Sequence, residues 1–244
     1  MTTTQPPRTT LRLAHCSDIH LDDSHGAAAH YRAGFDRVLE QMQQRRPDVV
    51  VIAGDLFDTN RVPDSTVTWA MARLEAQPCP VILIPGNHDC MEPGGVFTRY
   101  DFDAINNVEM LAAEAGELRV LADFQLAVWG KGMLDHCAEY RPIDDAHAKP
   151  EQVNWYVGLG HGMYVPDGEN TYRSSPVYQH AIASSPFDYL ALGHHHAALE
   201  VHAGGTAAAY CGSPTDTVGR GATYAVIDLN TAAPAQVEIH IVTP

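Results

Sequence analysis

Three short apolar runs constrain this chain most: LRLAHC at 11–16, VVVIA at 49–53 and VILI at 81–84. The last two have no apolar–polar alternation and are built from β-branched residues with one leucine and one alanine, so they read as strands covered on both faces. Between the first two runs, Tyr31, Phe35, Val38, Leu39 and Met42 recur at helical spacing, which predicts an amphipathic helix over 27–46. A second helix is expected over 64–77, with Asp64 or Ser65 as its N-cap. Strand, helix, strand, helix, strand in that order predicts a parallel sheet with right-handed crossovers.

The second half changes character. Strands are expected at 124–130, 155–162, 187–196, 206–212, 223–229 and 237–242, with one helix around 176–183. Such a strand-rich half predicts a second, mixed sheet packed on the first. The fold class is therefore α/β, two packed mixed β-sheets flanked by helices. Segment 131–152, rich in Asp, His and Pro, reads as a surface loop. Residues 1–10 read as a tail outside the fold, and 11–244 as one domain.

Composition narrows the class. No stretch approaches the ~18 apolar residues of a membrane span, and the first ten residues have no signal-peptide core. The cysteines (Cys16, Cys79, Cys90, Cys137, Cys211) are scattered without a C-x-x-C pair, which fits free thiols in a reducing cytoplasm. With 15 Lys+Arg against 30 Asp+Glu, the average surface repels polyanions, and no basic tract is visible. The 14 histidines make their positions worth following.

Polar side chains gather where the apolar runs end. They form Asp18-Ile19-His20, Gly54-Asp55-Leu56-Phe57-Asp58, Gly86-Asn87-His88-Asp89, Gly160-His161-Gly162 and Gly193-His194-His195-His196. Carboxyl ends of parallel strands share one sheet edge, so these clusters can converge on one site. Asp, Asn and His suit divalent Mn, Fe or Zn. On a continuing strand, alternation puts Asp18 and His20 on one face, and likewise His194 and His196. Gly54, Gly86, Gly160 and Gly193 are expected to let the backbone turn sharply beside a bound ion.

Taken in order, D-x-H, G-D-x-x-D, G-N-H-D, a lone His and G-H-x-H resemble the calcineurin-like metallophosphoesterase superfamily. The surrounding HCSDIHLDD, AGDLFDTNRVP, IPGNHD, LGHHHA and YCGSP are similar to SbcD-type exonucleases of double-strand-break repair, over roughly residues 11–229. This resemblance implies a two-metal phosphodiesterase, with Mn first and Fe or Zn as alternatives. Asp18, His20 and His196 hold one ion, Asn87, His161 and His194 the other, and Asp55 bridges them. The ions sit ~3.5–4 Å apart with a shared hydroxide as nucleophile. His88 is implied as the general acid or as a donor to the phosphoryl oxygen, and Asp58 and Asp89 as residues that orient ligands. An ATPase partner and DNA as substrate are implied by the nuclease likeness. Two divalent ions, two aspartates and a hydroxide leave a local charge near +1, which suits a phosphoester despite the acidic surface.

Other residues are read more plainly. Arg61 is a candidate contact for substrate phosphate, with a structural salt bridge as the alternative. His195 should face away from its neighbours. His15 reads as a satisfied core histidine, and His25, His30, His136, His147, His180, His202 and His240 as surface or core residues. Cys90 lies beside the site without the marks of a nucleophile. SbcD-type nucleases extend past the catalytic domain into regions that grip DNA, and this chain is expected to lack them. Small-molecule phosphodiesters therefore stand as the alternative substrate class, and a non-catalytic metal-binding scaffold as a third reading.

Overall fold

The computed structural model describes residues 8–22, 28–137, 139–169, 171–215 and 219–244. In chain order the elements are β1 (Thr10–Cys16), α1 (Ala28–Gln44), β2 (Val49–Ala53), α2 (Asp64–Glu75), β3 (Val81–Ile84), α3 (Val96–Arg99), β4 (Val108–Met110), β5 (Glu117–Leu121), β6 (Leu126–Gly130), β7 (Trp155–His161), β8 (Met163–Val165), β9 (Pro176–Tyr178), α4 (Gln179–Ser184), β10 (Tyr189–Gly193), β11 (Leu199–Glu200), β12 (Ala207–Tyr210), β13 (Thr223–Asn230) and β14 (Ala233–Ile241). They build two six-stranded sheets, ordered β14-β13-β1-β2-β3-β4 and β11-β12-β10-β7-β6-β5, and a two-stranded pair β8-β9. Strands β1 to β4 run parallel, as do β6, β7, β10 and β12, while antiparallel strands close the edges.

The uninterrupted apolar runs have two jobs, one per face. In β2, Val50 and Ile52 pack toward the helices, whereas Val49, Val51 and Ala53 pack toward the second sheet. In β3, Val81 and Leu83 face the helices and Ile82 and Ile84 the second sheet. From the other side, Trp155, Val157 and Leu159 of β7 and Tyr189 and Ala191 of β10 meet them. Helix α1 buries Phe35, Val38, Leu39 and Met42 against the first sheet. Each fully buried apolar side chain contributes roughly 1.5–3 kcal/mol, so this double coverage holds the strand tips in a fixed relation. Among the described residues, no helix is long and apolar enough to cross a membrane.

Several expectations need correction. No Asp64 or Ser65 side chain caps α2; Pro63 occupies the N-cap position with no side-chain hydrogen bond. Strands β4, β5, β8, β9 and β11 and helix α3 are additional, each short or only partly buried and so without a clear period. Loop 131–152 is not wholly superficial: Met133 and Ile143 are buried, and Tyr140 donates to the Lys131 carbonyl at 3.0 Å. The tail expected over 1–10 lies outside the described residues for 1–7. Residues 8–10 belong to the fold, with Arg8 paired to Asp48 at 2.6 Å and Thr10 opening β1. His25, too, lies outside the described residues.

Candidate metal centre

Five strand ends deliver the polar clusters to one place. Strand β1 stops at Cys16, β2 at Ala53, β3 at Ile84 and β10 at Gly193, so their clusters sit in the loops just beyond, while His161 is the last residue of β7. The expected strand alternation of Asp18 with His20, and of His194 with His196, is therefore wrong. Asp18 (φ 55°), His20 (φ 52°) and Asp55 (φ 53°) adopt the left-handed conformation, and His194 stands at φ 100°. Non-glycine residues avoid this region unless their surroundings compel it.

Here the surroundings do. The Asp18 and His20 loop runs alongside the Asp55 loop, with Asp18 N–H donating to Gly54 O at 3.1 Å, Ile19 N–H to Asp55 O at 2.9 Å and Leu21 N–H to Leu56 O at 2.9 Å. A distant segment clamps the same loop: Ser213 Oγ donates to Asp18 O at 2.7 Å and Thr215 Oγ1 to Ile19 O at 3.1 Å. Ser17 Oγ donates to Asp18 Oδ2 at 2.5 Å. The sequence reading missed Ser17, Ser213 and Thr215 as supports; HCSDIHLDD holds Ser17 and YCGSP holds Ser213, while nothing marks Thr215. Gly54 is demanded by space as well as by φ +89°, since a Cβ there would lie 2.4 Å from His161 Nδ1. At Gly86 a Cβ would lie 2.1 Å from Asp55 Oδ1. Gly54 and Gly86 thus make room for the His161 and Asp55 side chains, and of the four expected turn glycines only Gly54 has positive φ.

The side chains meet as follows. Asp18, His20 and His196 form one group, and Asp18, Asp55 and His161 another, with donor atoms within 4.8 Å of each other in each. Asn87 Oδ1 lies 3.0 Å from His161 Nε2 and 2.9 Å from His194 Nδ1. His161 Nδ1–H donates to the Ala53 carbonyl at 2.8 Å, which leaves Nε2 with its lone pair directed at Asn87 Oδ1 and at Asp55 Oδ2, 3.2 Å away. His20 Nδ1–H donates to Asp58 Oδ1 at 2.9 Å, and its Nε2 faces His196 Nε2 at 3.1 Å. Such facing nitrogen and oxygen atoms are satisfied by an N–H on one of them or by a metal ion between them. This donor set fits borderline divalent ions.

Electrostatics agree. Burial alone would lower the His161 pKa, but the Asp55 charge outweighs it and lifts the imidazole to about 9. Burial would raise Asp55, yet the charge and hydrogen bond of His161 hold it below the usual carboxylate range. Burial likewise opposes a charged His20, and the hydrogen bond to Asp58 and the charge of Asp55 overcome it. His194 is pushed down to about 4, first by burial and then by its neighbour His161, so it stays a neutral donor. His196 is lowered, mainly by burial.

His88 stands at the rim, its side chain 42% exposed. Its Nδ1–H donates to the Asp58 carbonyl at 2.8 Å, which turns Nε2 outward, and its backbone N–H donates to Asp55 Oδ1 at 2.9 Å. Asp89 works through the backbone instead. Fully buried, it accepts from Gly86 N–H at 2.7 Å and Phe57 N–H at 3.0 Å and so ties two loops together. Burial, then the charge of Asp55, raise its pKa to about 7 against those two donors. Arg61 is exposed, with its N–H capped by Thr59, and forms no ion pair among the described residues. His195 turns aside to the Ala197 carbonyl at 2.7 Å and packs on Tyr210. His15 is only half satisfied: Nδ1 meets Tyr189 Oη at 2.9 Å while Nε2 is buried without a partner.

The profile of the calcineurin-like phosphoesterase family matches residues 11–198. The SbcD subunit of the SbcCD nuclease of Escherichia coli strain K12 is 33% identical over 85 residues, which is 32% of this chain and 21% of that protein. The match thus spans about a fifth of the curated relative's length. Among solved structures, TT1561 of Thermus thermophilus superposes with a TM-score of 0.64 at 11% identity, over 96% of this chain and 100% of that one. A dimetal phosphatase from Danio rerio gives 0.60 at 11% identity, over 97% and 100%. An archaeal phosphodiesterase gives 0.52 at 13% identity, over 95% and 99%. At such identities the likeness is one of fold.

Proposed function

Because the chain belongs to the calcineurin-like phosphoesterase family, and so is a metal-dependent phosphoester hydrolase, we propose that its strand tips hold two divalent cations and cleave phosphodiesters. The convergence of Asp18, His20, Asp55, Asn87, His161, His194 and His196 from five strand ends carries this reading. Asp18, His20 and His196 would hold one cation and Asn87, His161 and His194 the second, with the Asp55 carboxylate within reach of both groups. The donor set suits manganese, iron and zinc alike, and the likeness to SbcD-type nucleases puts manganese first. When bound, such a pair of cations lowers the pKa of water and offsets charge developing on phosphoryl oxygens.

The chain's own residues do the rest. Asp58 fixes the His20 ring through Nδ1, and Ala53 O fixes His161 through Nδ1, so each presents Nε2 to a cation. His88 presents Nε2 toward incoming substrate and, as the imidazolium that keeps Nδ1–H on the Asp58 carbonyl, delivers its Nε2 proton to the leaving oxygen. Asp89 keeps the His88 and Asp55 loops in register.

For the substrate, the stretch shared with the SbcD protein favours a DNA strand, with an ATPase partner to grip duplex. The net charge of −15 favours the second reading, a small-molecule phosphodiester. Manganese-loaded protein assayed on bis-p-nitrophenyl phosphate and on labelled single- and double-stranded DNA tests both. Cleavage of both substrate types supports the nuclease reading. Cleavage of the small ester alone, at every salt concentration, selects the second reading, and cleavage of neither contradicts both.

A further inference from the structure

A recess of about 280 Å³ adjoins the cluster on the side of Asn87 and His194. Its other wall is His136, Arg173, Ser174 and Ser175. The last three belong to the loop joining β8 to β9, which leaves the second sheet directly after His161. The base of that loop is firmly seated. Ser175 is buried and accepts from Met163 N–H at 2.9 Å, while the Gly162 carbonyl accepts from Tyr210 Oη at 2.8 Å. Near the tip, Arg173 N–H donates to Thr171 Oγ1 at 3.1 Å, a local turn that sets residues 171–173.

Two features of this loop have no use within the fold. Arg173 is exposed and forms no ion pair among the described residues, in a chain with twice as many acids as bases. Its neighbour Tyr172 has a relative exposure of 104%, whereas the other large apolar residues that reach the surface among the described residues are partly covered. A guanidinium pairs bidentately with phosphate, and an exposed aromatic ring stacks on a nucleobase. We infer that Tyr172 and Arg173 form a substrate subsite that takes a nucleotide adjoining the scissile phosphate, the ring stacking on its base and the guanidinium binding a second, uncleaved phosphate.

This inference rests on the phosphodiesterase reading, and three esters that release the same p-nitrophenolate separate the two. They are methyl p-nitrophenyl phosphate, thymidine 5′-(p-nitrophenyl phosphate), and the latter carrying a 3′-phosphate. The manganese-loaded protein should prefer the thymidine esters by kcat/KM, and the 3′-phosphate should add to that preference. Tyr172→Ala should shrink the preference for thymidine over methyl about tenfold, and Arg173→Ala the added preference for the 3′-phosphate about tenfold. Tyr172→Phe and Arg173→Lys should restore part of each. Calorimetry with thymidine 3′,5′-bisphosphate reads the subsite without turnover and should show about tenfold weaker binding in either alanine variant. Preference ratios and bisphosphate affinity that match the unmutated protein would overturn the subsite while the hydrolytic reading stands. If no ester is cleaved but bisphosphate binding still falls in both variants, the hydrolytic reading fails and the subsite stands.

Discussion

Replacing Asp58 by Ala should loosen one cation and spare the other. The His20 ring is 3% exposed, and its Nδ1–H has the Asp58 carboxylate as acceptor at 2.9 Å. Without that oxygen, a buried N–H is left unpaired, which costs about 1–3 kcal/mol. The imidazole can escape the penalty by turning or by moving its proton to Nε2, and either would remove a ligand of the proposed first cation. At 1.4 kcal/mol per decade, the loss is roughly five- to 150-fold in affinity at the site of Asp18, His20 and His196, close to the ~10–100-fold typical for a residue supporting a ligand. The site of Asn87, His161 and His194 has no contact with Asp58 and should keep its affinity. His88 should be affected less, because its Nδ1–H donates to the Asp58 backbone carbonyl at 2.8 Å, which survives the change, while the carboxylate oxygen lies farther off at 3.4 Å. Titration of metal-free protein with Mn²⁺, followed by calorimetry, should therefore show one weakened and one unchanged step. Turnover should recover to within a few-fold at saturating metal, and Asp58→Asn, which keeps an acceptor oxygen, should lie between. Equal weakening of both steps, or turnover that stays depressed at saturation, would refute this reasoning.

Replacing His88 by Ala should cut turnover on a phosphodiester with an alkoxide leaving group, such as thymidylyl-(3′→5′)-thymidine, by ~10²–10⁴, and much less on bis-p-nitrophenyl phosphate, whose nitrophenolate leaves without a proton, while Mn²⁺ titration still shows two sites. Gly54→Ala forces a left-handed alanine and sets a Cβ 2.4 Å from His161 Nδ1, so urea unfolding should show a loss of at least about 2 kcal/mol together with weakened metal binding. Burial pushes the His15 pKa down to about 3, below the ~6.5 of an unfolded chain. Between those values the unfolded state binds the extra proton, so stability falls as pH drops below about 6.5, by roughly 2 kcal/mol at pH 5. His15→Gln should remove that part of the slope in urea unfolding at pH 5 and 6.5.

How far the site could be read in advance depended on how local its causes are. VVVIA and VILI reveal strands covered on both faces because every residue in them has an apolar partner, and the polar clusters stand out because they interrupt such runs. The left-handed turns at Asp18, His20 and Asp55 were not legible. Local preferences oppose them, and the bonds that hold them come from Gly54 to Leu56 and from Ser213 and Thr215, far along the chain. The half-exposed edge strands β5 and β11 escaped notice because neither periodicity nor burial marks them. Arg173 and Tyr172 sit in a polar loop whose nearness to Asn87 depends on the packing of one sheet on the other.

Anomalous diffraction from crystals of the manganese-loaded protein tests the central claim most directly. Two peaks should appear, one bounded by Asp18, His20 and His196 and the other by Asn87, His161 and His194, with Asp55 touching both. A lone peak, or peaks remote from these side chains, would contradict it.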